Sequence, residues 1–417
     1  MSARHRVVMV ATSYPRFQGD TVGTFMQPIA EGLAARGHEI HMVLPWHPRW
    51  TRPLQDRGVT FHLFRYAPAQ SLNVFGYAEA LQADVAFKAA AFAATPPAVV
   101  AAWHTTRRLV RETKATIVHG HWVVPGGVIA AMARRGLPLV VSLHGSDVYV
   151  AERHALIGEA ARATFRRTAM VTACSEDLRV RAERLGADPS RSVTIPYGVD
   201  STRFRPDPDA RAAMRARWGL RDDAEVVFTA GRFVKKKGFE YVIDAVAALR
   251  QRRPAIRLVL AGGGDLDAAL RERLLQRDVM DRAILPGILS QDDVARGLAA
   301  ADVAVVPSVR DDAGNVDGLP NVVMESLSSG TPLVATPAGG IGSVVADGVT
   351  GLVVPERDVT GLAGAIDRLL TDRALAARLG DTARRWAIAE GSWSRAAERF
   401  EGVYDRAASL AAIKSAY

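Results

Sequence analysis

The chain is poor in several things at once: one cysteine, six lysines against 47 arginines, and only 7% aromatic residues over 417 positions. A single cysteine, Cys174, cannot close an intramolecular disulfide. That excludes a stapled secreted fold and fits a reducing compartment. No run of about 20 apolar residues occurs, so nothing reads as a membrane-spanning helix. The most apolar stretch, 85–103, is interrupted by Lys88 and by Pro96-Pro97. The opening MSARHRVVMVATSYPRFQ holds only a short apolar run before polar residues and proline, and reads as a first strand rather than a signal peptide. Repeats and low-complexity tracts are missing, and the excess of Arg over Lys reads as compositional bias. So are a nucleotide-hydrolase P-loop, a Gly-x-Ser-x-Gly elbow and a Zn-type Cys/His array.

What is present is ordinary for a globular protein: 48% hydrophobic and 23% charged residues. At about 150 residues per domain, the length suggests two or three domains. The net charge of +9 is unevenly placed. Residues 1–200 carry 23 basic and 15 acidic side chains, while the remainder carries 30 and 29. All ten histidines precede residue 155. A basic face attracts nucleic acid, anionic lipid or an anionic small molecule.

Short β-rich runs alternate with helix-length segments. Arg6–Thr12, Glu39–Leu44, Thr116–His119, Leu139–Leu143 and Met170–Ala173 read as strands, with a helix near Thr24–Arg36. The alternation restarts with strands at Glu225–Ala230, Arg257–Ala261, Ala283–Leu285, Val303–Pro307, Pro332–Ala335 and Gly351–Val354. Helices are expected at Phe239–Arg252, Leu266–Arg277 and Asp292–Ala300. Continuous apolar strands with helices between them signal parallel sheets covered on both faces. The segment Ile195–Asp209, rich in Pro, Gly and Asp, reads as the linker. The expectation is two doubly wound α/β domains, with ligand at the carboxyl ends of the strands and in the cleft between domains. An amphipathic helix, Trp393–Ser415, closes the chain.

Four constellations could do chemistry. GRFVKKKG (231–238) follows a strand and carries Arg232, Lys235, Lys236 and Lys237 just before a helix. Free helix-start amides and basic side chains suit a diphosphate, although a solvated basic turn has the same composition. It lacks the aromatic interleaving of a nucleic-acid contact. In DGLPNVVMESLSSGTPLVAT (317–336), Asp317 lies in the loop and Glu325 in the early helix, with Pro320 suited to the first turn. Carboxylates accept hydrogen bonds from sugar hydroxyls, but acidic residues also cap helices. LHGSDVY (143–149) puts His144 at a strand end, where a structural histidine is the plainer alternative. His119 and His121, in HGHW, follow a strand; no carboxylate or cysteine is placed to complete a metal site with them. AGGGDL (261–266) matches a nicotinamide fingerprint too loosely, since Asp267 stands where the third glycine belongs.

Taken in order, these segments resemble the family 4 glycosyltransferases, which have the GT-B fold. The matches are GDTVGTFMQPIAEGLAARGHEI, HGHW, LHGSD, IPYGVDSTRFRP, GRFVKKKG, LAGGGD, LPG, and DGLPNVVMESLSSGTPLVAT followed by DGVTGLVVP. They run from about residue 10 to about residue 355 in the family's order. The resemblance implies two Rossmann-like domains facing a cleft. Residues 1–198 would bind the acceptor, with helix 393–415 packing back on them, and residues 199–392 would bind the donor. It implies a retaining, metal-independent hexosyltransferase, without a cofactor, that uses a nucleotide-diphosphate sugar. The acceptor would be a hydroxyl on a lipid-linked, cell-envelope or exopolysaccharide precursor.

By motif match, Arg232 and Lys237 would clamp the diphosphate, with Gly231 and Gly263 beside them and Gly23 approaching from the first domain. Glu325 would hold the ribose, and Leu285 and Pro286 would meet the base. Gly318, Leu319, Pro320, Asn321 and Val322 would present main-chain groups to phosphate and sugar, and His144 would touch the sugar. Asp317 stands where the family usually has Glu, one methylene longer. A cytoplasmic place is expected. The basic first domain, with WHPRWTRP (46–53) and 75–114, also allows a peripheral seat on an anionic membrane. Nucleic acid is not an expected partner. Two alternatives stay open: a nucleotide-sugar epimerase of the same fold, and a non-catalytic glycan- or lipid-binding module.

Overall fold

The computed structural model describes residues 3–20, 22–67, 69, 73, 75–77, 81–82, 86–87 and 89–415. The chain forms two compact units, Met1–Pro196 with Trp393–Tyr417, and Tyr197–Ser392.

The first unit is built on strands β1 (Arg6–Val10), β2 (Glu39–Pro45), β3 (Gln55–Asp56), β4 (Val59–Phe64), β5 (Leu81–Gln82), β6 (Ala86–Phe87), β7 (Ile117–His121), β8 (Leu139–Leu143), β9 (Met170–Ala173) and β10 (Ser192–Thr194). Eight of them form one sheet in the order β10-β9-β8-β7-β1-β2-β4-β3, while β5 and β6 make a separate ribbon. All pairings in the large sheet are parallel except β3 with β4. Val7, Val8, Met9 and Val10 of β1 and every residue of β8 are buried, as a sheet covered on both faces requires. The closing helix Trp393–Ser415 lies on helix Met26–Ala35, with Gly32 against Ala397. Its Ala396, Phe400, Val403, Tyr404 and Ala407 fall at helical spacing and join the first unit's core.

The second unit has β11 (Glu225–Arg232), β12 (Ile256–Gly263), β13 (Ala283–Ile284), β14 (Val303–Val306), β15 (Leu333–Ala335) and β16 (Leu352–Val353). They form one all-parallel sheet in the order β13-β12-β11-β14-β15-β16. Val242, Ile243, Val246 and Leu249 of helix Phe239–Leu249 pack on one face with Leu362, Ile366, Leu369 and Leu370 of helix Val359–Thr371.

In each sheet the strand order reverses beside the first strand of the unit, at β1/β7 and at β11/β14. Such a switch point opens a crevice outside the carboxyl ends of the strands. These are the strand ends after which the sequence motifs fall.

Several local readings need correction. β3, β4 and β10 lie where no strand was expected; β4 (VTFHLF) carries His62 and Thr60 within a half-buried pattern, and β3 and β10 are very short. The segment Ile195–Asp209 does hold the boundary between the two units, after Pro196, and it is bonded at both ends. Ile195 N–H bonds Ala173 O at 2.8 Å and Val199 N–H bonds Gly391 O at 2.8 Å. Helix Pro208–Arg217 already starts inside the segment, capped by the Asp207 carboxylate on Ala210 N–H. Pro96-Pro97, which interrupts the apolar stretch, sits exposed within helix Ala89–Glu112; Lys88 lies outside the described residues. His119 and His121 are part of β7, because pairing with β8 runs on to His121 opposite Ser142. Among the described residues no helix is long and apolar enough to cross a membrane.

Candidate active site

In the second unit, GRFVKKKG follows from the end of β11. Lys235–Lys237 form one tight helical turn, and Gly238 reverses the chain into helix Phe239–Leu249 with φ of +64°. A Cβ at Gly238 would stand 2.1 Å from the Pro307 carbonyl oxygen, so the residue must be glycine on both counts. Backbone bonds then tie the motifs together. Val309 N–H donates to Lys236 O at 2.9 Å, which fixes the turn to the segment after β14. Phe233 N–H donates to Gly263 O at 2.9 Å, and Gly262 N–H to Gly287 O at 2.9 Å. The basic turn, the GGGD loop and the Leu285-Pro286-Gly287 loop are therefore joined at the carboxyl edge of β11 and β12. Arg232 is exposed at the end of β11, opposite Gly263 in register.

Asp317 reaches this edge from the loop before helix Asn321–Ser329. Its two carboxylate oxygens meet Lys237 Nζ at 2.7 Å and Lys236 Nζ at 3.3 Å. Burial alone would raise its pKa, but the charges of Lys237 and Lys236 outweigh it and hold the carboxyl far below the usual range. Gly339, at φ of +59°, lets the backbone pass the Asp317 carbonyl where a Cβ would be at 1.9 Å. Gly318, Leu319 and Pro320 are buried, while Asn321 and Val322 are partly exposed. Pro320 is the N-cap, and no side-chain hydrogen bond caps that end of the helix. Its positive end is thus unanswered by a protein carboxylate. Glu325 lies in the second turn. Burial pushes its pKa up to about 7 against the pull of Lys237 and Arg203, and its carboxyl makes no hydrogen bond with any described residue.

In the first unit, His144 follows β8. Its ring lies 4.7 Å from that of Phe25 and 4.8 Å from that of Trp122, and its Nε2 is 3.1 Å from His121 Nδ1. Burial, then the neighbouring His121, depresses its pKa well below the ordinary value, so the imidazole is neutral at physiological pH. The turn around it is held by buried Asp147, which accepts from Val123 N–H (2.8 Å), Gly145 N–H (3.0 Å) and His144 N–H (3.3 Å). Gly23 lies in the turn before helix Met26–Ala35 at φ of +66°, against Ser13 and the Tyr14 backbone. His119 is fully buried with both nitrogens engaged, Nδ1 with Tyr404 Oη at 2.8 Å and Nε2 with Ser142 Oγ at 2.7 Å. No group of three or more His, Cys, Asp or Glu among the described residues could hold a metal ion.

Within the second unit, then, the structure gathers Lys237 and Asp317, with Gly231, Arg232, Gly263, Leu285 and Pro286 along the same strand edge. Glu325 is close enough to feel Lys237. His144 and Gly23 belong to the first unit, beside its own switch point. Lys236, one of the basic residues that the motif offered, shares Asp317 with Lys237. One contributor was not foreseen. Asp147 orders the His144 turn; its signal was an acid three residues after the histidine, at a helix start, where it can collect backbone amides.

Two family models match the chain, one described as Glycosyltransferase Family 4 over residues 22–203 and one as Glycosyl transferases group 1 over residues 210–386. A GDP-mannose-dependent alpha-(1-6)-phosphatidylinositol monomannoside mannosyltransferase of Mycolicibacterium smegmatis is 33% identical over 307 residues, covering 71% of this chain and 79% of that one. An alpha-D-kanosaminyltransferase of Streptomyces kanamyceticus is 31% identical over 315 residues, covering 72% and 79%. Among solved structures, a sucrose-phosphate synthase of Thermosynechococcus elongatus superposes with a TM-score of 0.76 at 22% identity, over 96% of this chain and 98% of that one. HepE of Anabaena, in complex with UDP, gives 0.74 at 18% identity, over 95% and 98%. With the fold, the ordered motifs and these matches in agreement, the chain belongs to the family 4 glycosyltransferases and has the GT-B fold.

Proposed function

We propose that the protein is a retaining, metal-independent hexosyltransferase that takes its sugar from a nucleotide-diphosphate donor bound by the second unit. The observation that carries this reading is the grip of Lys236 and Lys237 on Asp317 at the β11/β14 switch point, next to a helix start that no side chain caps. A diphosphate entering there meets fixed positive charge and free amides. The lysines turn toward it and share their hydrogens between phosphate oxygens and Asp317. Lys237 and Arg232 then neutralise the charge that grows on the leaving diphosphate as the glycosidic bond breaks. Asp317 takes a donor-sugar hydroxyl, Glu325 the ribose hydroxyls, and Leu285 and Pro286 border the base. A donor phosphate oxygen removes the acceptor proton, so no protein side chain is needed as nucleophile or base. His144 meets the sugar as a neutral hydrogen-bonding group.

The first unit serves the acceptor, a hydroxyl on a lipid-linked or envelope glycan precursor. The names of the relatives support a glycan or lipid-linked acceptor and put GDP-mannose first among donors to try. An anionic membrane surface is part of the same reading. Helix Ala89–Glu112 exposes Val100, His104, Arg108 and Arg111, and exposed Arg65 stacks on Trp46 at 4.0 Å. No binding to anionic vesicles at low salt would remove the membrane from the account.

The test is a panel of GDP-, UDP- and ADP-sugars assayed by nucleotide release with and without EDTA and acceptor, followed by NMR of the product's anomeric configuration. Acceptor-dependent release with retained configuration in EDTA is the expected result. Donor consumption without acceptor would point to an epimerase or hydrolase instead.

A further inference from the structure

His121 is buried with a relative exposure of 0%, two residues beyond the hydrogen-bonded His119, and the proposed mechanism gives it no task. Its Nδ1 lies 3.1 Å from His144 Nε2, the two rings are stacked with centroids 5.3 Å apart and 15° between planes, and its own Nε2 is buried without a partner among the described residues. On its other side, the His119 ring stands 4.0 Å away, locked by Tyr404 and Ser142, and Ser142 Oγ in turn meets Thr172 Oγ1 at 2.6 Å. His121 is therefore clamped between a fixed core histidine and the histidine at the strand end.

Two neutral arrangements can make the 3.1 Å contact. If His121 carries its proton on Nε2, that N–H is a buried donor with nothing to bond, which folded proteins avoid more strongly than an unfilled acceptor. If it carries the proton on Nδ1, that N–H donates to His144 Nε2 and only a bare acceptor is left in the core. The doubly protonated form is removed by burial, which lowers the His121 pKa to about 3. The second arrangement has a consequence for His144: its Nε2 becomes an acceptor, so its proton sits on Nδ1.

We propose that His121 is a positioning residue, whose Nδ1–H holds His144 in the Nδ1–H tautomer and sets the angle of its ring between Phe25 and Trp122. The proposal rests on the reading of His144 as the group that meets the donor sugar. It adds that His144 meets the sugar as its Nδ1–H tautomer rather than its Nε2–H tautomer. Which nitrogen of an imidazole carries the proton is set by the bond its other nitrogen makes.

The experiment uses the full-length enzyme and the donor found active in the panel. Three variants are compared: H144A, H121L and H121N. Asparagine places an amide N–H close to the histidine Nδ1, whereas leucine fills the space and donates nothing. Circular dichroism and melting temperature check the fold of each. H121L is expected to lower kcat by about 10- to 100-fold, the cost of a mis-set reacting group, with donor KM little changed. H121N is expected to recover most of that loss. Two-bond 1H–15N correlations on histidine-labelled protein are expected to show His144 protonated at Nδ1 in the wild type and in H121N, and to lose that tautomer in H121L. An H121L enzyme with wild-type kcat, or wild-type His144 protonated at Nε2, overturns the proposal. An H144A enzyme with normal kcat overturns the reading of His144 itself, which is a separate outcome. If H121L does not fold, the tautomer in the wild type and the kcat of H121N still decide the matter.

Discussion

The two units use the same sheet architecture to build opposite chemistry. At the switch point of the second unit the side chains are charged: two lysines on one carboxylate, an exposed arginine at the strand end, and a carboxyl poised near neutrality. At that of the first unit they are neutral and planar: three histidines with depressed pKa values beside Phe25 and Trp122. Burial governs both, but only the second unit supplies countercharges strong enough to overcome it. Asp317 stays ionised because two ammonium groups outweigh its burial, while His119, His121 and His144, buried beside one another, discharge. A diphosphate leaving group needs fixed positive charge, and a sugar needs shape and directed hydrogen bonds. The contrast suits the proposed roles, with the diphosphate held by the charged edge of the second unit and His144 of the first unit offering a neutral contact to the sugar.

The sharpest way to break the contrast is to remove charge from the second unit. Lys237→Ala is expected to lower turnover by well over about 10-fold, toward 10²-fold, since the proposed mechanism makes Lys237 one of the cations that meet the leaving diphosphate. Near-normal rates would show that the diphosphate lies elsewhere. Next in size is Gly238→Ala, which adds a Cβ at positive φ against the Pro307 carbonyl. It should cost about 2 kcal/mol or more in chemical denaturation, and an unchanged midpoint would mean the turn is freely remodelled.

Glu325 gives a graded test. Its carboxyl is pushed from 4.5 up to about 7, so the folded state holds a proton that the unfolded chain releases between those values. Stability from this group therefore falls as pH rises from about 4.5 to about 7 and is flat above. Glu325→Gln should be more stable than wild type at pH 8 and equal to it near pH 4. If the ribose needs the carboxylate, nucleotide affinity of the wild type rises with pH through about 7, while that of E325Q is weaker and flat. A wild-type affinity independent of pH would take Glu325 out of the ribose site. The smallest effect is expected for Asp317→Glu, which keeps the charge and adds a methylene. It should stay partly active and change the order of preference among donor sugars; equal activity with every donor would separate Asp317 from the sugar.

How much of this could be read from residues alone differs between the units in the same way. β11, β12 and β14 are apolar runs ended by glycine- or proline-bearing motifs, so these strands and the candidate segments after them stand out in the chain, and the family resemblance supplied the roles proposed for them. β4 of the first unit escaped because His62 and Thr60 dilute its apolar pattern, and β10 because three residues carry no period. Asp147 and His121 work through contacts with residues 24 and 23 positions away, Val123 and His144, a relation that exists only once β7 and β8 lie side by side. Lys236 differs from its neighbours only in which way the turn points it. Motif chemistry is local and legible; the contacts that orient it are tertiary.

The most direct measurement of the division of labour is hydrogen exchange of the full chain with and without GDP, UDP or ADP. The account predicts added protection at 231–238 and 317–325 for the nucleotide of the preferred donor, and loss of that protection in K237A. Protection confined to 119–149, with the segments around Lys237 and Glu325 unchanged, would contradict it.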